Sequence, residues 1–374
     1  MAKIMISVGE ASGDLHGASV AKAIKEINPH AYIFGMGGIN MKNNGVEIYH
    51  DIADLGVIGF VEVMKNLRRL FQLKADLVEL MKKEKPDVLV VIDYPDFNMR
   101  LAKEAKKLNI PIISYISPSA WAWRPGRAKN VAKIVDCIAA IFPFEADFYS
   151  KAGAKVEFVG HPLLDIVKPT MGKDDTYKYF DAARQQIVLL LPGSRKQEIQ
   201  NLLPEMLKAA EQIVKVKPDV QFYLPIASTI PQSMVMNIIE KYSIKVNLTH
   251  DKNYDLMSIA DVGIASSGTV TLEAAILNLP TVVIYKLAFL TYLLGKMLVK
   301  IPYFSLPNII VGRKLIPELL QNQANYNNIA KETIKILENS AKMKQEMKIV
   351  TERLGQGGAV KKVAKLILSY TKNC

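Results

Sequence analysis

Five stretches of this chain put chemistry-bearing residues just after a short apolar run, where a strand ends and a loop begins. The first is Gly9-Glu10-Ala11-Ser12-Gly13-Asp14-Leu15-His16-Gly17, a glycine-rich turn opening a helical pattern. It is not G-x-G-x-x-G, and an acidic turn repels a pyrophosphate, so Glu10 and Asp14 suit sugar hydroxyls better than a dinucleotide. Ser12 or Asp14 can equally cap the helix. The second, Asp93-Tyr94-Pro95-Asp96-Phe97-Asn98, presents two carboxylates after five apolar residues. A carboxylate there can serve as a general base, and Asp96 can also cap the helix that follows. The third, Ser117 to Arg127, holds both tryptophans, Trp121 and Trp123, beside Arg124 and Arg127, a pairing suited to sugar stacking or phosphate.

The remaining two belong to the second half of the chain. Pro192-Gly193-Ser194-Arg195 precedes a helical pattern, so its backbone amides can cradle a diphosphate while Arg195 adds charge-assisted bonds. Ser266-Ser267-Gly268-Thr269 repeats that arrangement, with Glu273 one turn into the next helix, where a carboxylate can accept from both ribose hydroxyls. Two such turns facing one cleft would hold a nucleotide diphosphate. No Walker loop occurs, no His or Cys spacing points to a metal, and no cofactor is expected.

Positioning these groups requires strands, and their pattern is regular. Lys3-Val8, Ala31-Phe34, Asp87-Ile92, Ile112-Ile116, Cys137-Phe142 and Val156-Val159 read as buried strands between helical patterns. After a polar stretch the series resumes with Gln186-Leu191, Gln221-Pro225, Val246-Leu248, Val262-Ala265 and Thr281-Tyr285. The expected fold is therefore α/β, two Rossmann-like domains facing a cleft. The boundaries read as 1–167 for the first domain, 168–184 for a linker, 185–324 for the second domain, and 325–374 for terminal helices packing across domains or subunits.

Composition agrees with a large folded core: 374 residues, 50% hydrophobic and 22% charged, exclude a disordered polymer. Cys137 and Cys374 form no disulfide framework, as befits a reducing cytosol. The net charge of +12 favours an acidic partner, whether nucleic acid, anionic lipid or a phosphorylated small molecule. The amino-terminal apolar stretch is too short for a signal peptide, and Lys286, Lys296, Lys300 and Pro302 interrupt the most hydrophobic later segment before it reaches bilayer-spanning length.

The ordered set G-E-A-S-G-D at Gly9, G-V-I-G-F-V-E-V at Gly56, D-Y-P-D-F-N at Asp93, S-P-S-A-W-A-W-R at Ser117, F-P-F-E at Phe142, G-H-P at Gly160, L-P-G-S-R at Leu191, S-G-T-x-T-L-E at Ser267 and S-L-P-N at Ser305 spans nearly the whole chain. In this it resembles the lipid-A-disaccharide synthase family, bacterial glycosyltransferases of the GT-B fold. The resemblance implies inverting transfer of 2,3-diacylglucosamine from its UDP derivative to 2,3-diacylglucosamine 1-phosphate, giving a β-1,6 disaccharide and UDP.

On that reading Asp93 is the first choice of base, with Glu10 its rival and Asp96 third. Ser12, Gly13, Asp14, Asp96 and Asn98 form the acceptor side. Gly193, Ser194, Arg195, Ser267, Gly268, Thr269, Glu273 and Asn308 hold UDP, with Arg195 also stabilising the leaving group. The lipid substrates give meaning to a stripe of Val61, Met64, Leu67, Leu70 and Phe71 flanked by Lys65, Arg68, Arg69 and Lys74: a membrane-docking helix. Tyr285-Phe304 has a similar mixture and is expected to form a second docking surface. The resemblance further implies a cytoplasmic enzyme peripheral on the inner face of the bacterial inner membrane, with no nucleic-acid partner and a plausible homodimer. The competing expectations are another nucleotide-sugar enzyme of this fold, such as a 2-epimerase or a different lipid glycosyltransferase, and a noncatalytic basic membrane-binding module.

Overall fold

The computed structural model describes residues 1–55, 63–117, 126–227, 229–287 and 302–371. The chain divides into two compact units, Met1–Pro162 with Gly355–Cys374, and Leu163–Leu354. Each is built on one parallel sheet with helices on both faces.

In the first unit, β1 (Lys3–Ser7), β2 (Tyr32–Gly37), β3 (Glu47–Asp51), β4 (Val88–Ile92), β5 (Ile112–Tyr115), β6 (Cys137–Ala140) and β7 (Val156–Phe158) lie in the order 3-2-1-4-5-6-7. The Val-Leu-Val-Val-Ile of β4 is buried at every position, as a central strand covered on both faces must be. The order reverses between β1 and β4, whose carboxyl ends therefore flank an open crevice. Into that edge run α1 (Ala11–Ile27), α2 (Ile39–Asn43), α3 (Val63–Glu84) and α4 (Pro95–Lys107). α1 buries Gly13, Gly17, Ala18, Val20, Ala21 and Ile24, one face at helical spacing.

The second unit repeats the scheme. Strands β8 (Ile187–Leu191), β9 (Gln221–Pro225), β10 (Val246–Thr249), β11 (Val262–Ser266), β12 (Thr281–Tyr285) and β13 (Glu318–Leu320) run 10-9-8-11-12-13, with the reversal between β8 and β11. Alternate residues of β8 feed opposite faces. Val188 and Leu190 pack under the helix Lys196–Val216 with Leu203 and Leu207, while Ile187, Leu189 and Leu191 pack against Leu256, Ala274 and Leu279. Edge strands β3 and β13 have no counterpart among the runs read from sequence. They alternate exposed with half-buried residues or are half-buried throughout, so they carry no continuous apolar signature.

One boundary differs from the sequence expectation, and the terminal helices divide between the two units. Residues 168–184 are part of the second unit: Thr170 and Met171 donate their amides to the buried Asp255 carboxylate at 2.6 and 2.7 Å, and Lys173–Tyr179 is a helix. The residues from 325 onward also do not act as one block. Helices Tyr326–Glu338 and Ala341–Arg353 pack on the second unit, against Lys196–Val216 and Thr269–Ile276, whereas Ala359–Leu368 packs on α1 of the first. Among the described residues no helix is long and apolar enough to cross a membrane.

Candidate active site

At the β1/β4 switch, Asp93 and Tyr94 both adopt left-handed backbone conformations, φ +51° and +49°, a strained pair for residues with a side chain. Asn98 holds the turn. Its buried amide donates to the carbonyls of Asp93 (2.7 Å), Ser7 (3.2 Å) and Ile92 (3.3 Å), and its oxygen accepts from Ser7 Oγ at 2.7 Å. Gly9 completes the arrangement, because a Cβ there would lie 2.1 Å from the Tyr94 ring. Asp93 is thus half-buried at the strand end, with Oδ1 accepting from the Tyr94 amide at 2.8 Å and Oδ2 without a partner among the described residues. His16 lies beside it, and burial, opposed by the Asp93 charge, lowers the imidazole below its usual range.

The other acceptor-side residues divide. Glu10 is exposed at the start of α1, and Ser12 is exposed in its first turn. Asp96 is exposed and paired with Arg127 at 2.9 Å, an engagement that weakens it as a base. Asp14, Gly13 and Asn98 depart from the expected ligand contacts. The Asp14 carboxylate is 2% exposed and accepts four bonds, from the amides of Gly38 (2.7 Å), Asn40 (3.0 Å) and Met41 (3.1 Å) and from Asn40 Nδ2 (2.8 Å). It caps α2 and has no lone pair left for a sugar. Gly13 is buried, its Cβ position 3.2 Å from Val8 Cβ and 3.6 Å from the Ile92 carbonyl, so it seats α1 on the sheet. Asn98 is spent on the clamp just described.

In the second unit the two glycine turns do share one cavity, of about 790 Å³. Gly193 has φ +112°, and a Cβ there would collide with Glu198 Oε2 at 2.2 Å, so this turn requires glycine. The amides of Ser194 and Arg195 donate to Glu198 Oε2 at 3.2 and 3.3 Å, and the exposed Arg195 side chain reaches Glu198 at 3.6 Å. Both amides stand at a helix start, where a phosphate could be cradled once it displaces the Glu198 carboxylate that they now bind. Opposite them Gly268 and Thr269 are exposed at the start of the helix Thr269–Ile276, and Ser267 donates its hydroxyl to the Phe304 carbonyl at 3.2 Å. Glu273 lines the same cavity and accepts from the Tyr254 hydroxyl at 3.4 Å; burial raises its carboxyl, an effect the Tyr254 bond opposes.

Asn308 is a correction. It is fully buried, donates to the Ile316 carbonyl (3.0 Å) and Glu318 Oε1 (2.8 Å), and accepts from the amides of Leu315 (2.7 Å) and Ile316 (3.0 Å). With every polar site used, it folds the loop before β13 rather than touching a nucleotide. Glu198, Tyr254 and Thr170, all at the cavity wall, carry no recognisable spacing signal except that Glu198 stands three residues into its helix. Val61, Trp121, Trp123 and Arg124 lie outside the described residues, as do residues 288–301 of the second docking segment and the side chains of Met64 and Leu67. Among the described residues no three His, Cys, Asp or Glu side chains converge to hold a metal.

A buried acid elsewhere in the first unit gives a pH prediction. Glu145 is 2% exposed and accepts from the Ile141 amide at 3.1 Å, yet burial pushes its carboxyl up to about 7 from 4.5. The folded state therefore favours the proton: the stabilisation is fully present below about pH 4.5, is lost as pH rises through about 7, and changes no further above that. Glu145→Gln should raise the melting temperature more at pH 8 than at pH 5. An equal shift at both values would show that the group titrates normally.

A sequence profile described as lipid-A-disaccharide synthetase matches residues 4–367. The lipid-A-disaccharide synthase of Geobacter sulfurreducens is 41% identical over 371 residues, covering 98% of this chain and 96% of that protein, and the enzyme of the same name from Syntrophus aciditrophicus is 42% identical over 375, covering 99% and 98%. Among solved structures, the UDP-GlcNAc 2-epimerase of Neisseria meningitidis bound to UDP-GlcNAc aligns with TM-score 0.65 at 14% identity, covering 98% of this chain and 99% of that one. MurG of Acinetobacter baumannii aligns with TM-score 0.63 at 14% identity, covering 99% and 100%. At that identity the likeness establishes the fold, the two-sheet GT-B architecture. The profile and the relatives establish more, and with them the chain belongs to the lipid-A-disaccharide synthase family of glycosyltransferases.

Proposed function

We propose that this glycosyltransferase moves a 2,3-diacylglucosamine unit from its UDP derivative to the 6-hydroxyl of 2,3-diacylglucosamine 1-phosphate. The observation that carries the donor assignment is the pair of glycine turns at the β8/β11 switch, which share one cavity with Arg195 and Glu273. Amides at two helix starts and one guanidinium suit the diphosphate, and Glu273 suits the ribose hydroxyls. Asp93 takes the proton of the acceptor hydroxyl, the oxygen attacks the anomeric carbon, and the carbon–oxygen bond to the diphosphate breaks on the opposite side. One displacement inverts the α-linked donor to a β product and releases UDP. Arg195 and the Ser267-Gly268-Thr269 helix start stabilise the charge that develops on the departing oxygen.

The test supplies both acylated substrates and follows disaccharide and UDP together. Equal amounts of both support the reading, whereas turnover of the UDP-sugar with no acceptor present would make the protein an epimerase.

The acceptor is a lipid, and α3 supplies an amphipathic face toward it. Phe71 is 55% exposed and Leu70 half-buried, with Arg69 exposed beside them. We assign this face to contact with an anionic membrane surface, a reading consistent with an enzyme on the cytoplasmic side of a bacterial inner membrane. Replacing Met64, Leu67 and Phe71 together by Ser should move the protein from the membrane to the supernatant on fractionation. Unchanged partitioning would remove α3 from the docking role.

A further inference from the structure

Between α3 and α4 the first unit contains a second cavity, of about 360 Å³, bordered by Glu10, Leu70, Phe71, Lys74, Tyr94 and Arg100. Its charges are not equally available. Asp96, also at its wall, is neutralised by Arg127, and Lys74 is shared with Glu104 at 3.4 Å. Arg100 is exposed and makes no hydrogen bond or ion pair among the described residues. One uncommitted guanidinium, supported by a lysine, therefore faces a pocket whose walls are the exposed Phe71, Leu70 and the ring of Tyr94. Glu10 borders the same cavity beside Tyr94, whose phenol is raised first by burial and then by the Glu10 charge. Along the helix axis Pro95 and Arg100 are separated by about 8 Å, the scale of a hexose carrying one phosphate. A guanidinium, the Glu10 carboxylate and apolar walls around one cavity, with Asp93 next in sequence to its Tyr94, match an acylated sugar phosphate.

We propose that Arg100, assisted by Lys74, binds the phosphate of the acceptor, so that this cavity is the acceptor's own seat and selects a phosphorylated sugar over a neutral one. The inference rests on the acceptor reading given above. A guanidinium suits this task because it presents paired donors to phosphate oxygens and remains charged at any working pH.

The experiment measures the KM of Arg100→Ala for the acceptor with and without its 1-phosphate, with both substrates dispersed in neutral detergent so that no anionic bilayer contributes. The expected result is a KM raised about 10- to 100-fold for the phosphorylated acceptor, the scale of a lost bond to a charged group, with kcat little altered. Arg100→Lys should recover part of the loss. With the acceptor lacking phosphate, variant and wild type should differ by less than about twofold. Equal losses with both acceptors, or none with either, would overturn the assignment, as would a defect seen only as weaker binding to anionic vesicles, which would make the ligand a membrane headgroup. A wild-type enzyme inactive on both acceptors would instead remove the acceptor reading itself, and this site with it.

Discussion

Asp93→Asn should lower kcat by about 10²- to 10⁴-fold, the range that a positioned general base contributes. The substitution keeps the shape of the side chain and the oxygen that accepts from the Tyr94 amide, so the strained turn at the end of β4 is retained. What it removes is the carboxylate charge, and with it the ability of the free oxygen to take a proton from an alcohol. Affinity for UDP, whose proposed site is in the second unit, should not change. Steady-state assays with both acylated substrates, together with UDP titration calorimetry, check both halves of the statement. A variant within about fivefold of wild type would transfer the role to Glu10, and Glu10→Gln would then show the larger loss. Asp96 is the weakest of the three, because Arg127 already occupies its carboxylate.

The second large effect concerns the leaving group. Arg195→Ala should reduce kcat/KM by about 10²- to 10³-fold, since a charge-assisted contact to a departing diphosphate acts where negative charge grows during the reaction. The side chain is 78% exposed and its one ion pair, with Glu198, is long, so its loss costs the fold little. The thermal midpoint should therefore stay within a few degrees of wild type while turnover collapses. If UDP affinity and rate both persist, the diphosphate is held by the backbone amides of the two turns alone.

Much of this architecture is legible in the chain. The wholly apolar runs of β4 and β8 and the largely apolar ones of β1 and β11 announce central strands, because a strand covered on both faces has little polar side to show. The edge strands β3 and β13 escape notice for the same reason reversed: one face meets solvent, and the runs are short. Among site residues, motif position is informative about location but silent about direction. Asp14, Asn98 and Asn308 all stand in motifs beside the candidate sites, yet each spends its polar atoms on backbone and side-chain groups of its own unit, in a cap, a strand-end clamp and a loop lock. Whether a carboxylate or carboxamide oxygen meets a ligand or a backbone amide depends on segments such as Gly38–Met41 for Asp14 and Leu315–Ile316 for Asn308, which only folding brings alongside.

By itself, then, the order of residues determines two doubly wound sheets, reactive groups at the ends of β1, β4, β8 and β11, and membership of a glycosyltransferase family. Tertiary structure alone decides which of those groups remain available. Asp93 and Arg195 keep unspent polar atoms, whereas Asp14 and Asn308 do not. It also decides that Arg100, unremarkable in sequence, borders a cavity with its charge uncommitted. The physical reason is hydrogen-bond saturation: a buried polar group must find partners, and the partners are supplied by distant segments whose proximity no local pattern encodes.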